Sequence, residues 1–235
     1  MLQLFLDVAV YNAIINNPEQ TEMAVDIACR TAMSQRGVSH LTIPIDVQEM
    51  KLKGRYSRHK VGGHTSDISI PKFMSDPKLI EKAANILNSG ERVVILVGQG
   101  ALDAGDEVIA VAEKLGAPVV KAILGKAVIS DIHPVSIGGL GLLGTDPASD
   151  AMSEADTLFM IGTSFPYIDY LPKPGQAKGI QIDIKADKIG LRYPVEVGLV
   201  GDARLTLASS FTTERKLGLF EIKTASNEKL DSFAK

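Results

Sequence analysis

Glycines that follow a predicted strand form the first candidate site for a phosphate-bearing ligand in this sequence. The apolar segment 92–97 is predicted to be a buried strand, and it runs into Gly98 and Gly100 before a helix expected to begin at 101–103. Glycine allows the backbone to approach a phosphate closely, and the first turn of a helix offers free N–H groups. With Gly105 the spacing departs from the dinucleotide fingerprint, so the turn alone is as typical of a tight connection as of a binding site.

Small or polar residues also adjoin the other predicted strands. Ligands of open α/β sheets bind outside the carboxyl ends of the strands, so we expect these residues to share one nucleotide site. Besides the two glycines at 98 and 100, the residues are Leu124, Gly125, Lys126, Gly138, Gly139, Gly141, Gly144, 162–167, Asp183, Gly201, Asp202 and Ala203.

Five of these residues have definable roles. Gly141 and Gly144 precede a predicted helix and can present N–H groups to a phosphate. Asp183, at the end of a predicted strand, is suited to accept hydrogen bonds from ribose hydroxyls or an adenine amine, or else to cap the helix that follows. Phe165 and Tyr167 are equally consistent with packing on a planar ring and with ordinary core packing.

Composition excludes several classes of function. A net charge of −3 argues against a generally basic nucleic-acid binder, and no stretch approaches the length of a membrane span. The single cysteine, Cys29, provides no disulfide framework, so a reducing, cytoplasmic location is expected. The sequence shows no nucleophile elbow, Walker lysine motif, metal-ligand cluster or acid–base pair, so we predict no catalytic and no metal-binding residues.

Apolar runs that alternate with helical patterns predict the fold class. Helices are expected to begin at Asn17-Pro18 and Asp76-Pro77, and to end at glycines 37, 90 and 116. Strands are expected at 40–45, 92–97, 118–123, 155–161, 179–184 and 195–200. This alternation is typical of an α/β protein with a doubly wound parallel sheet.

Composition shifts along the chain predict its domain organisation. The apolar segment at the start of 1–46 requires a covering surface, and the basic, aperiodic segment 47–72 is typical of a linker with a solvated surface. The regular pattern occupies 73–210, and 211–235 becomes polar, as expected of a tail.

Seven motifs in order along the chain resemble one enzyme family. They are HLTIPIDVQ (40–48), VILVGQGA (94–101), APVVKAILGK (117–126), GGLGLLGT (138–145), EADTLFMIGTSFPY (154–167), IQIDIKADKIG (180–190) and LVGDARLTL (199–207). The chain resembles the thiamine-diphosphate-dependent enzymes of the pyruvate oxidase and acetolactate synthase group, most closely the pyruvate oxidase or quinone-linked pyruvate dehydrogenase branch.

The resemblance implies a domain assignment. It makes 1–46 the C-terminal remnant of a pyrimidine-binding domain and 73–210 a Rossmann-like central domain that binds FAD or another nucleotide. The segment 211–235 would lead toward a pyrophosphate-binding domain that the sequence does not contain. Because the family's catalytic glutamate and its metal–diphosphate motif are not found in this sequence, the chain alone is expected neither to bind thiamine diphosphate with magnesium nor to catalyse.

The resemblance also implies the contacts of a flavoprotein. Carried over by motif, the FAD-binding residues are Gly98, Gly100, Ile123, Leu124, Gly141, Leu142, Leu143, Gly144, Thr163, Ser164, Phe165, Pro166, Tyr167, Asp183, Asp202 and Ala203. The expected partners are further copies of the chain or chains that carry the missing domains. Two alternatives remain: a degenerate structural or subunit-interaction module, and a domain that binds ADP or NAD, as in an acetolactate-synthase-like enzyme.

Overall fold

The computed structural model describes residues 2–52 and 70–211. The chain divides into two units, Met1–Pro71 and Lys72–Lys235. Residues 53–69, which include most of the predicted linker, and residues 212–235 of the predicted tail lie outside the described residues. No helix within the described part of the chain is both long and apolar enough to cross a membrane.

The first unit is a two-stranded parallel sheet with helices. Its elements are β1 (Ala9–Ile14), α1 (Thr21–Gln35), β2 (Val38–Thr42) and α2 (Ile45–Glu49), with 3₁₀ turns at Leu2–Phe5 and Pro18–Gln20. The predicted cap is confirmed, because the Asn17 side chain accepts a hydrogen bond from the Gln20 N–H at 3.1 Å. A small core contains Ile15, Ala24, Ala28 and Val47.

Two boundaries in this unit differ from the prediction. Helix α1 ends at Gln35, and its C-cap is Arg36 in the left-handed conformation (φ 48°) rather than a glycine. The strand predicted over 40–45 lies at Val38–Thr42 instead, since Pro44 already serves as the N-cap of α2 and its carbonyl accepts the Val47 N–H. Part of the segment that was predicted to be a linker is therefore helical.

The second unit contains a six-stranded, fully parallel sheet, which confirms the predicted α/β fold. Its strand order is β5-β4-β3-β6-β7-β8. The strands are β3 (Val93–Val97), β4 (Val119–Lys121), β5 (Ser136–Gly139), β6 (Thr157–Ile161), β7 (Lys178–Asp183) and β8 (Val197–Val200). The helices are α3 (Pro77–Ser89), α4 (Gly105–Leu115), α5 (Asp146–Glu154) and α6 (Ala203–Phe211).

Both faces of this sheet are covered, as expected of a doubly wound fold. On β3, Val93, Ile95 and Val97 belong to a core shared with residues of α3, α4 and α6. Val94 and Leu96 point to the opposite face and join a second core that includes residues of α5. Burial on both faces explains why the central strands have continuous apolar sequences.

Local sequence signals place most helix ends correctly. Asp76 caps α3 by accepting the Lys78 N–H at 2.9 Å, and Gly116, at φ 59°, ends α4. The start of α4 differs from the prediction. A 3₁₀ segment, Gln99–Ala104, follows the glycine turn, and the α-helix begins only at Gly105.

Asp156 joins the starts of the two central strands. Its carboxylate accepts the N–H groups of Glu91 and Arg92 at 2.9 and 2.8 Å, just before β3, and the Thr157 hydroxyl at 2.8 Å, at the start of β6. One side chain therefore satisfies two backbone donors at the end of the sheet opposite the strands' carboxyl termini.

We expect Asp156→Ala to lower the free energy of unfolding by about 1 to 2 kcal/mol, because three hydrogen bonds to one carboxylate are lost where water can replace them only in part. Urea denaturation followed by circular dichroism measures the change. Asp169→Ala, which alters an exposed side chain, is the matched control and should change stability by less than about 0.5 kcal/mol. Equal stabilities of the two variants would contradict this role of Asp156.

Candidate functional site

The strand order creates a switch point between β3 and β6. From β3 the chain continues to β4 and β5 on one side, and from β6 it continues to β7 and β8 on the other. Ligands of open α/β sheets bind where the strand order reverses in this way, outside the carboxyl ends of the strands. We term this side of the sheet, formed by the residues at the carboxyl ends of β3 to β8, the carboxyl edge. The predicted site residues follow the strands at this edge, one group after each of the six strands.

At the switch point itself the chain contacts its own backbone. The N–H groups of Gly98, Gly100 and Ala101 donate to the carbonyls of Ile161, Gly162 and Gly98 at 3.0, 2.9 and 3.1 Å, in that order. A Cβ on Gly98 would lie 2.5 Å from the Cβ of Thr163. These glycines therefore serve the close approach of two connections, and their N–H groups are not the free donors that the sequence led us to expect.

A cavity of about 1160 Å³ opens at one side of the carboxyl edge. The ends of β4 and β5, the loop between β5 and α5, one side of α5 and the aromatic residues after β6 form its walls. Of the predicted site residues, it brings together Ile123, Gly141, Leu142, Leu143, Phe165 and Tyr167. The cavity lining does not include Gly98, Gly100, Leu124, Gly144, Thr163, Ser164, Pro166, Asp183, Asp202 or Ala203.

The glycine loop, residues 138–145, supplies free donors to this cavity. Gly141 has a φ of 109°, which favours glycine, and its carbonyl accepts the Gly144 N–H at 2.8 Å to close a turn. Within the described part of the chain, no hydrogen bond engages the N–H groups of Gly141, Leu142 or Leu143. The loop therefore has three backbone N–H groups without a partner among the described residues.

Helix α5 begins beside the same loop without a side-chain cap. The residue at the N-cap position, Thr145, donates its hydroxyl to the Ile137 carbonyl at 2.7 Å rather than capping the helix. The N–H groups in the first turn of α5 are consequently not satisfied by a side chain, and the positive end of the helix dipole adjoins the loop. The first turn already contains one acidic residue, Asp146, which this arrangement favours.

The two aromatic residues after β6 have different environments. Phe165 is 5% exposed and belongs to the core on the α5 side of the sheet, so ordinary packing accounts for its side chain. Tyr167 is 60% exposed and meets Phe165 edge-on, with ring centroids 5.5 Å apart and planes at 69°. Tyr167 is therefore the aromatic ring available to a ligand.

Asp183 is partly buried at the end of β7. One carboxylate oxygen accepts the Lys185 N–H at 2.9 Å, which gives the residue a turn-stabilising role. The other oxygen makes no hydrogen bond to the described residues, so it remains able to accept one from a ligand. Burial raises the pKa of the Asp183 carboxyl, and the nearby Asp187 raises it further.

The residues after β6 and β8 are largely occupied by structural contacts. The buried Thr163 carbonyl accepts the Gln181 side-chain amide at 3.2 Å. Asp202 accepts the Leu205 N–H at 3.1 Å as the cap of α6, and its other oxygen lies 3.6 Å from the Lys72 ammonium. Ala203 is part of the core. These contacts supply a structural reason for each residue type.

The cavity wall contains a charged cluster, which we term the Lys121 cluster (Lys121, Lys126 and Asp131). Sequence reasoning singled out Lys126 but missed Lys121 and Asp131. Lys121, the last residue of β4, is only 2% exposed, and its ammonium contacts the Asp131 carboxylate and the Ile129 carbonyl. Lys126 lies 3.1 Å from the other Asp131 oxygen. The hydrogen bond from Lys121, followed by that from Lys126, lowers the pKa of the Asp131 carboxyl. The signal in the sequence that could have revealed this cluster was Lys121, a lysine at the end of an otherwise apolar strand.

Comparison with known proteins identifies the family. The family model for the central domain of thiamine pyrophosphate enzymes matches residues 80–209. The chain belongs to this family. Its described fold also resembles that of a protein from Mycobacterium smegmatis whose title names it as a thiamin diphosphate-dependent enzyme, with a TM-score of 0.61 and 24% identity over 88% of this chain and 40% of the other. Residues 80–209 are therefore a domain of the kind that lies at the centre of thiamine pyrophosphate enzymes.

Three curated relatives represent different members of the family. YdaP of Bacillus subtilis, whose name describes a thiamine pyrophosphate-containing protein, is 41% identical over 206 residues, which is 87% of this chain and 34% of the relative. An acetolactate synthase large subunit by name, from Methanococcus aeolicus, is 34% identical over 88% of this chain and 35% of the relative. Pyruvate oxidase of Lactiplantibacillus plantarum is 25% identical over 88% and 34%. The chain thus aligns with about a third of each.

We expect Asp183→Asn to have a higher free energy of unfolding than the wild-type protein, and we expect this difference to grow as the pH rises from 3.8 toward neutrality. Because burial raises the pKa of Asp183 in the folded state, the wild-type protein loses stability as the pH rises through that pKa, whereas asparagine stays neutral and keeps the bond from Lys185. Urea denaturation at several pH values measures the difference. A difference that shrinks over this range would show that the ionised carboxylate stabilises the fold.

Proposed function

We propose that this chain is the FAD-binding central domain of a thiamine-diphosphate-dependent enzyme that oxidises a 2-oxo acid such as pyruvate. The observation that carries the proposal is the carboxyl edge, where free backbone donors, an exposed tyrosine and a carboxylate with an unused oxygen follow strands of one parallel sheet. Support for oxidation of a 2-oxo acid also comes from the name of the pyruvate oxidase relative, although YdaP and the acetolactate synthase have higher identity.

The residues present fit an adenine dinucleotide when its groups are distributed along the edge. The unused oxygen of Asp183 suits a ribose hydroxyl, and the donors of the glycine loop suit the diphosphate. The exposed ring of Tyr167 and the exposed side chains of Leu142 and Leu143 suit the face of a planar ring. Because Gly98 and Gly100 donate to the backbone, the proposal assigns them to the shape of the edge rather than to the diphosphate.

FAD supplies electron transfer when it is bound, and thiamine diphosphate with magnesium supplies carbanion chemistry in the complete enzyme. The contribution proposed for this chain is to hold and orient the nucleotide. The aligned region is about a third of each relative, so the full reaction is assigned to an assembly that includes other domains or further copies of the chain. We propose no catalytic residue within this sequence.

A second candidate function, a subunit-interaction module, is favoured by apolar exposure at the same edge. Leu142 and Leu143 are each 89% exposed, and three more large apolar side chains after β4 and β6 are also exposed. They are Ile123, Leu124 and Ile168. Exposed apolar patches mark surfaces that bind proteins as well as those that bind ligands.

Titration of the purified chain with FAD and with ADP tests the proposal. Binding of FAD is followed by flavin absorbance and fluorescence, and binding of ADP by calorimetry. We expect both to bind, and we expect Asp183→Ala to weaken both by about tenfold through loss of a hydrogen bond to a charged acceptor. Asp169→Ala, an exposed aspartate after β6, serves as the control and should leave both affinities unchanged.

The outcomes separate the candidate functions. Saturable FAD binding that depends on Asp183 supports the flavin domain. Binding of ADP without FAD would instead support an ADP-binding domain, and absence of binding by either nucleotide would leave the interaction module as the better explanation.

A further inference from the structure

The Lys121 cluster contains one more positive than negative charge. The two oxygens of the Asp131 carboxylate are each paired with a different ammonium, that of Lys121 and that of Lys126. One carboxylate cannot neutralise two ammonium groups. The cluster therefore has a formal net charge of +1.

The two lysines stand in different surroundings. Lys121 is buried, and a buried ammonium requires a counter-charge, which Asp131 provides together with the Ile129 carbonyl at 3.5 Å. The Lys126 side chain is exposed and does not depend on burial-driven pairing. Asp131 thus serves mainly as the counter-charge of Lys121, and the positive charge that is left uncompensated lies on Lys126.

This charge faces the cavity. All three residues of the cluster line it, together with two acidic residues of α5, Asp150 and Glu154, of which Glu154 is paired with Arg92 at 2.9 Å. The glycine loop, with its free N–H donors, forms another part of the wall. An exposed ammonium and backbone N–H donors are groups that bind a phosphoryl oxyanion.

We propose that the Lys121 cluster is a phosphoryl-binding subsite in which Lys126 contacts the ligand and Lys121 is a positioning residue acting through Asp131. Lys121 holds one oxygen of the Asp131 carboxylate and offsets its charge. Asp131 in turn keeps the Lys126 ammonium at the cavity without neutralising it fully. This subsite depends on the proposed function in one respect only: the phosphoryl group is taken to belong to a nucleotide.

Calorimetric titration of the full chain with inorganic pyrophosphate and with ADP tests the subsite. Lys126→Ala should weaken binding of both by about tenfold, through loss of a charge-assisted hydrogen bond. Lys178→Ala is the matched control, because it removes the same charge from an exposed position at the first residue of β7, at the opposite end of the sheet. Binding unchanged in Lys126→Ala, or weakened equally in Lys178→Ala, would overturn the proposal.

A second pair of variants separates positioning from structural support. Lys121→Met removes the buried charge and leaves Asp131 to neutralise Lys126, so pyrophosphate should bind about fivefold more weakly. Adding Asp131→Asn to that variant removes the competing carboxylate and should restore binding to within about twofold of wild type. Neither variant leaves a buried charge unpaired. A double variant that binds no better than Lys121→Met would show that Lys121 acts only through the fold.

The two ligands distinguish the failure of this subsite from failure of the proposed function. Pyrophosphate binding that depends on Lys126, without binding of ADP or FAD, would uphold the subsite and reject the nucleotide domain. Nucleotide binding that depends on Asp183 but is indifferent to Lys126 and Lys121 would uphold the domain and reject the subsite.

Discussion

The contact between the connections that leave β3 and β6 is the constraint on which the candidate site depends. The Gly98 and Gly100 N–H groups donate to carbonyls at the end of β6, and side chains at these two positions would collide with that segment. The contact extends the pairing of the two central strands into the connections beyond them. It also uses the backbone donors that a glycine turn at a switch point would otherwise offer to a phosphate. Donors for an anion must therefore come from elsewhere along the carboxyl edge.

The glycine loop supplies them because a competing contact leaves its helix uncapped. Thr145 uses its hydroxyl to hold the Ile137 carbonyl, which ties the end of the loop back to β5. The same bond withholds the hydroxyl from the first turn of α5. The positive end of the helix and the free N–H groups of the loop then lie on the side of the edge where the cavity opens. The hydrogen bond that closes the loop is thus also the reason that the first turn of α5 has no side-chain cap.

The parts of the structure that local sequence determines were predictable, and those that depend on distant partners were not. Apolar runs on strands buried from both sides identified β3, β6, β7 and β8, whereas β5, with sequence SIGG, is indistinguishable from a loop until β4 pairs with it. The glycines after β3 were correctly associated with the edge, but their partner Gly162 lies more than sixty residues away. The role of Lys121 depends on Asp131, which ordinary spacing rules do not connect with a strand end.

The distribution of charge along the edge restricts how any one ligand could lie on it. The Asp183 carboxylate follows β7 and the surplus positive charge of the Lys121 cluster follows β4, with β3 and β6 between them. At the usual spacing of neighbouring strands, these two groups are separated by about 14 Å across the sheet. A ligand that engages both must be extended across the switch point, with its hydroxyl donors toward β7 and its phosphoryl groups toward β4. The reverse orientation would place an anion beside a carboxylate whose burial already disfavours further negative charge. For the proposed nucleotide, the edge would therefore discriminate by polarity as well as by length.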